Sequence, residues 1–188
     1  MTEAKQAYGI LGLIDIVNFT GQSTKLGHHY TKLYTVYFQA HLTEIAERYG
    51  FSVIKFTGDG ALIFGTNPAD FLDIVIDLFV RDKPEDCHGF VSRFRMAGHF
   101  SYFQFIEQNG QFIDLACGEG IRVFRIEKYA GPGETVVTHN LFNILKSFLS
   151  EKNIDASRLS LNQSLKGFDS EDWFPPFYLL TPTVKSPD

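Results

Sequence analysis

Hydrophobic residues run almost without interruption from Tyr8 to Ile16 (YGILGLIDI), a length suited to a buried strand, and the run closes on the carboxylate of Asp15. Beyond the stretch Asn18-Phe19-Thr20-Gly21 the period changes. Leu26, Tyr30, Leu33, Tyr37 and Ala40 recur at steps of four and three, which predicts one amphipathic helix reaching Tyr49 and stopped by Gly50. Phe51 to Thr57 and Ala61 to Phe64 are rich in β-branched and aromatic residues and flank Gly58-Asp59-Gly60, the pattern of a β-hairpin. Asn67-Pro68 opens a second helix over Ala69 to Val80, and Pro84 marks the polar stretch Arg81 to Gly89 as a loop. Phe94 to Ile106, the turn Asn109-Gly110 and Gln111 to Leu115 predict a second hairpin. A helix over Ile121 to Tyr129, a strand over Thr135 to Thr138 and a helix over Leu141 to Leu149 follow. The tail then reads as irregular up to an edge strand at Phe177 to Leu180.

The succession β-α-β-β-α-β predicts an α+β fold: a ferredoxin-like βαββαβ core with a mixed, largely antiparallel sheet and helices on one face. No repeat, low-complexity tract or long linker divides residues 1–188. A single domain is expected, with its core over about residues 8–180.

Composition narrows the classes of function. With 44% hydrophobic and 21% charged residues the chain can bury a core without disulfide or metal staples. A formal charge of -5 leaves no global basic field, so neither nucleic acid nor an anionic membrane is an expected partner. Any anionic ligand must meet local cations. The apolar stretch Leu72 to Val80 carries Asp73 and Asp77 and falls short of the roughly 20 residues that span a bilayer. Cys87 and Cys117 are too few for a disulfide framework, and no secretory leader stands at the start. A cytoplasmic protein with two buried thiols is the expectation. The histidines do not suggest a transition-metal centre: His28 and His29 are adjacent and cannot both face one ion from a regular helix, and no His-Glu-x-x-His or Cys-x-x-Cys occurs.

Two carboxylates stand out, Asp15 at a strand end and Asp59 at a hairpin tip. If the first strand lies beside the hairpin, both meet at one end of the sheet and offer hard oxygen ligands to Mg²⁺ or Mn²⁺. The backbone N–H groups of Val17, Asn18, Phe19 and Thr20 lead toward a helix and can form a nest for phosphates. On turn chemistry alone, an aspartate between two glycines is more often a plain turn former, and one at a strand end a cap.

Order and spacing change that weighting. LIDIVNFT, IKFTGDGALIFG, FRMAGHFS and GIRVFRIEKYAGPGE resemble four successive blocks of the class III nucleotide cyclase catalytic domain, over about Tyr8 to Leu180. The resemblance implies that Asp15 and Asp59 ligate two divalent ions, Mn²⁺ or Mg²⁺, with the carbonyl of Ile16 as a further ligand and Phe19-Thr20 lining the triphosphate. It also implies a reaction in which the ribose 3′-hydroxyl attacks the α-phosphate of a nucleoside triphosphate, giving a 3′,5′-cyclic nucleotide and pyrophosphate. Arg125 matches the family's transition-state arginine; on charge alone it is equally a surface partner of Glu127 or Glu119. Lys55, four residues before Asp59, matches the base-reading position, where adenylate-type members carry lysine and guanylate-type members glutamate. Asp114 falls at the second base-reading position. As plain residues, Lys55 is an outward-facing strand lysine and Asp114 an edge-strand solubiliser.

A lysine donor beside an aspartate acceptor suits adenine, cytosine or uracil, and pocket size decides between them. A one-ring base leaves space that bulkier neighbours such as Phe56, Phe112 or Ile113 can fill. Three positions depart from the family. Ile121 stands where an asparagine contacts ribose, with Arg122 there instead if one residue is deleted. Lys166, in Leu165-Lys166-Gly167-Phe168, stands in a degenerate form of the lysine motif that holds the triphosphate. Val123 and Phe124 replace small alanines before Arg125. The resemblance thus extends to small stand-alone bacterial members that convert UTP or CTP to cyclic UMP or cyclic CMP in antiphage signalling, alongside adenylate cyclases. Family members build their sites between two catalytic domains, so a homodimer is implied. A catalytically silent cyclase-homology module that binds nucleotide or only dimerises is the alternative.

Overall fold

In a computed structural model describing residues 3–87, 89–116, 118–159 and 176–183, eight strands and five helices build one mixed sheet with helices on both faces. The chain runs β1 (Glu3–Ile16), α1 (Phe19–Leu26), α2 (His28–Arg48), β2 (Ser52–Phe56), β3 (Gly60–Gly65), α3 (Pro68–Ile76) and β4 (Phe94–Gln108). It continues through β5 (Gln111–Leu115), α4 (Ile121–Ile126), β6 (Thr135–Val137), α5 (His139–Leu145), β7 (Ile154–Leu159) and β8 (Phe177–Pro182). The strand order is β2-β3-β1-β4-β6-β8-β7, with β5 paired to β4. Among the described residues only β4 and β6 run parallel; the other pairs are antiparallel.

The axis of the sheet is β1 against β4, in register at every residue from Glu3↔Glu107 to Ile16↔Phe94. Alternation along β1 sorts its side chains between two cores. Ile10, Ile14 and Ile16 point into one, with Tyr34, Phe38 and Leu42 of α2, Phe71 and Val75 of α3, and Leu141 and Leu145 of α5. Leu11 and Leu13 point into the other, with Leu62, Phe103, Phe105 and the α4 residues Val123 and Ile126. Tyr34, Phe38, Phe71 and Phe103 are fully buried, each stabilising the fold by about 1.5–3 kcal/mol in transfer terms.

The expected α+β architecture is present, with these corrections. Helices do not share one face, because α4 packs opposite α2, α3 and α5. The helix predicted from Leu26 to Tyr49 is α2, and the separate short helix α1, not predicted, precedes it and ends at Gly27, whose φ is 85°. The helix after Asn67, whose side chain caps Ala69 N–H at 3.0 Å, loosens beyond Ile76 into a π turn over Asp77–Arg81. The helix over 139–145 starts earlier and stops earlier than its apolar pattern implies. The stretch read as irregular contains β7, and β8 lies inside the sheet between β6 and β7 instead of at its edge. Cys87 is half-buried against the larger core; Cys117 lies outside the described residues.

Candidate active site

The end of β1 and the tip of the β2–β3 hairpin meet. Asp15 is in register with Gly60, and the N–H of Ile16 donates to the carbonyl of Asp59 at 2.9 Å. The two glycines around Asp59 serve different needs. Gly58 sits at φ 90°, where a side chain would be strained, and a Cβ on Gly60 would lie 2.5 Å from the carbonyl oxygen of Ile14. The turn closes through Thr57 N–H to Gly60 O at 2.8 Å. The aspartate is thereby presented at the tip while the backbone behind it is pressed against β1.

Asp15 is mostly buried, and this raises its carboxyl above the ordinary range; the nearby negative charge of Asp59 pushes the same way, against the pull of Arg95. Arg95, directly across the ladder, donates to Asp15 Oδ2 from Nε at 2.9 Å and from Nη2 at 2.8 Å. The same Nε of Arg95 also pairs with Glu127. Burial, reinforced by Asp15, pushes the Glu127 carboxyl up to about 7 even with Arg95 beside it. One guanidinium therefore holds two half-buried carboxylates next to a third. Arg95 and Glu127 were not among the residues singled out from the sequence. Arg95 opens the third resembling block, but its register opposite Asp15 is a non-local fact.

Past Ile16 the chain turns through Asn18, in the left-handed region at φ 58°, into α1. The first reach back in this helix is Gln22 N–H to Asn18 O at 3.1 Å, so the N–H groups of Phe19, Thr20 and Gly21 have no intrahelical acceptor. They sit beside the two aspartates, in the arrangement expected of a phosphate nest. The N–H of Val17, expected in the same nest, is instead taken by the carbonyl of Arg93 at 2.8 Å.

Lys55 and Asp114 form a second cluster. β5 folds back toward β2, Phe112 stacks on Phe105 with centroids 4.3 Å apart, and Lys55 Nζ meets Asp114 Oδ1 at 2.5 Å. The ammonium and the N–H of Leu115 hold the Asp114 carboxyl below its usual range. A cavity of about 410 Å³ opens on this pair, walled by Leu62, Leu115, Ile121 and Phe124. Phe56, Phe112 and Ile113, considered above as filling neighbours, are not among its walls. Lys55 is thus engaged with Asp114 instead of pointing freely outward.

Arg125 lies exposed on α4 with no hydrogen bond or ion pair among the described residues. Neither surface partner considered above takes it: Glu127 pairs with Arg95, and Glu119 pairs with Arg122 at 3.0 Å and with His99 at 3.0 Å. His99 also meets Thr138 Oγ1 at 2.9 Å, and burial lowers its pKa. Ile121 is 48% exposed and lines the Lys55 cavity, while Arg122 is turned to Glu119. Lys166 lies outside the described residues.

Comparison with solved structures fixes the fold. The catalytic core of a rhodopsin-guanylyl cyclase with converted specificity, in complex with ATPαS, superposes with a TM-score of 0.77 at 19% identity, covering 97% of this chain and 100% of that one. The chain has the fold of a class III nucleotide cyclase catalytic domain. Other cyclase structures agree. The non-canonical dimeric guanylyl cyclase domain of the RhoGC fusion protein from Blastocladiella emersonii gives 0.75 at 15% identity, covering 94% and 97%. The adenylyl cyclase CyaB from P. aeruginosa gives 0.69 at 19%, covering 98% of each chain. No protein-family model and no curated protein matches the chain. Asp15 with Asp59, and Lys55 with Asp114, form two separate clusters. No helix among the described residues is long and apolar enough to cross a membrane.

Proposed function

We propose that the protein is a nucleotide cyclase that converts a nucleoside triphosphate into a 3′,5′-cyclic nucleotide and pyrophosphate. The observation that carries this reading is the convergence of Asp15 and Asp59, held by the Ile16 to Asp59 backbone hydrogen bond at one end of the sheet. Two carboxylates so close repel each other unless a cation comes between them, and an all-oxygen donor set fits Mg²⁺ or Mn²⁺. No group of three His, Cys, Asp or Glu among the described residues is arranged to hold a metal. The ions would rest on Asp15, Asp59, the Ile16 carbonyl and the substrate's own phosphates. When bound, they acidify the ribose 3′-hydroxyl and neutralise the triphosphate.

The remaining roles fall to this chain. The N–H groups of Asn18, Phe19 and Thr20 cradle phosphate oxygens, with Lys166 as an added cation; that of Val17 is already taken by the carbonyl of Arg93. The 3′-oxygen attacks the α-phosphorus in line, and the bond to the β-phosphate oxygen breaks to release pyrophosphate. The exposed, unpaired Arg125 stabilises charge gathering on the α-phosphate. Lys55 donates to, and Asp114 accepts from, the edge of adenine, uracil or cytosine, so the product is cyclic AMP, cyclic UMP or cyclic CMP; the pyrimidine products would suit antiphage signalling.

No hydrogen bond or ion pair among the described residues joins Arg125 or the Lys55–Asp114 pair to either metal aspartate. This supports a homodimer in which one protomer supplies the aspartates and the other the base-reading pair and Arg125. Ile113, Ile121 and Phe124, each at least 41% exposed, offer apolar surface to such a partner. Ile121 at the ribose position favours the second reading, a silent nucleotide-binding or dimerising module.

The test is incubation with Mn²⁺ and each of the four common nucleoside triphosphates, with mass analysis of products. Release of pyrophosphate and a cyclic product from ATP, UTP or CTP is expected, abolished in Asp59→Ala with the circular dichroism unchanged. No turnover of any of the four would leave the silent module.

A further inference from the structure

Helix α4 carries Arg125 and, through Ile121 and Phe124, two walls of the Lys55 cavity. Its six residues are too few to form a stable helix alone. Val123 and Ile126 are the two that it buries, both in the smaller core. Two side chains one turn apart set the depth of a helix, but they leave it free to slide along its own axis. A further contact has to fix where α4 begins.

His99 reaches that point. It lies in β4 opposite Leu11, beside Phe103 on the face that α4 covers, and is 1% exposed. Its Nε2 meets Glu119 Oε2 at 3.0 Å, within the 3₁₀ turn Gly118–Gly120 that leads directly into α4. Its Nδ1 meets Thr138 Oγ1 at 2.9 Å. These partners settle where the proton sits. Burial opposes ionisation of Glu119, but His99 and Arg122, whose Nε is 3.0 Å away, hold its carboxyl below the usual range. A carboxylate only accepts, so Nε2 carries the proton and Nδ1 accepts from the threonine hydroxyl. Thr138 is diverted to this role: it stands at the N-cap of α5, where a threonine ordinarily bonds its own helix, and makes no cap bond. The chain Thr138, His99, Glu119, Arg122 thus ties the start of α5 and the middle of β4 to the first turn of α4.

We propose that His99 is a positioning residue for Arg125: through Glu119 it sets the start of α4 and so the place from which the guanidinium acts. The proposal rests on the cyclase reading for the reaction that Arg125 serves.

The experiment compares Glu119→Ala, His99→Leu and His99→Gln in the full chain by steady-state kinetics and by amide hydrogen exchange. Glutamine keeps an N–H donor where Nε2 stands; leucine keeps neither bond. Glu119 is 41% exposed, so Glu119→Ala should fold even if His99→Leu does not. Glu119→Ala and His99→Leu should lower kcat about 10²-fold, the scale of an ångström-sized misplacement. Because Lys55 and Asp114 lie on β2 and β5, KM should stay within about threefold. His99→Gln should restore kcat. Exchange over residues 121–126 should quicken about tenfold in the first two variants, with β4 still protected. In an Arg125→Ala background Glu119→Ala should cost no further turnover, whereas a bond that only stabilises the fold would multiply the loss. Unchanged exchange in α4, full kcat in Glu119→Ala, failure of His99→Gln to restore it, or losses that multiply with Arg125→Ala overturns the assignment. If no triphosphate is turned over but α4 loosens as expected, the tether stands and the cyclase reading falls. If turnover proceeds and Glu119→Ala changes neither turnover nor exchange, the tether falls and the cyclase reading stands.

Discussion

Replacing Glu127 with glutamine should stabilise the protein at alkaline pH and do nothing at acidic pH. The glutamate carboxylate is 13% exposed beside Asp15 and Arg95, and its pKa is raised from an ordinary 4.5 to about 7, first by burial and then by Asp15. A raised carboxyl binds its proton more tightly in the folded chain than in the unfolded one. Its contribution to stability is complete below pH 4.5 and is gone once the pH passes about 7. At 1.36 kcal/mol per pH unit the full span is about 3 kcal/mol, and solvent screening at this partly open site reduces it to about 2 kcal/mol. Glu127→Gln removes the charge while keeping an oxygen for Arg95 to donate to. Urea titrations without added metal should show wild-type stability falling by about 2 kcal/mol between pH 4.5 and 8 from this group, and a variant lacking that component. The two proteins should match at the acidic end and differ at pH 8. A variant that is less stable at pH 8, or a difference that does not change with pH, would refute the reasoning.

Arg125→Ala should leave the melting temperature unchanged, because the side chain is exposed and has no ion pair or hydrogen bond among the described residues, while turnover falls by about 10²–10³-fold, the cost of losing one preorganised charge stabiliser. Steady-state kinetics beside a thermal melt would separate the two. Lys55→Met should raise KM about tenfold and flatten the ratio of kcat/KM among ATP, UTP and CTP; its ion pair with Asp114 is more than a third exposed, so stability should change by less than about 1 kcal/mol. Gly98→Ala should cost about 1–3 kcal/mol, because the new methyl would lie 2.7 Å from Leu141 Cδ2 and 2.8 Å from Phe71 Cζ; a lower urea midpoint with an unchanged slope is the readout.

What the chain discloses before folding is local. The β2–β3 hairpin, the turn at Asn109-Gly110 and the ends of β1 follow from alternation and turn residues. Helix α1 was hidden because it buries no residue fully. β7 escaped because, as the outermost strand, only Ile154 of its six residues is buried, leaving no apolar alternation to read. α4 buries just Val123 and Ile126, which says helix but not which side of the sheet. The aspartate pair was legible from the hairpin turn together with the family resemblance. Its counter-ion was not: the Asp15 to Arg95 contact spans 80 residues and exists only through the β1–β4 register.

That register also sets the order of events as the chain is made. Through Gly65 the nascent polypeptide already carries both acidic groups and the hairpin that joins them, yet contains neither Arg95 nor Glu127. High contact order makes closure of the central ladder slow. Truncated fragments should therefore hold an uncompensated acidic pair, and the balanced arrangement arises only after the second half of the polypeptide has been added.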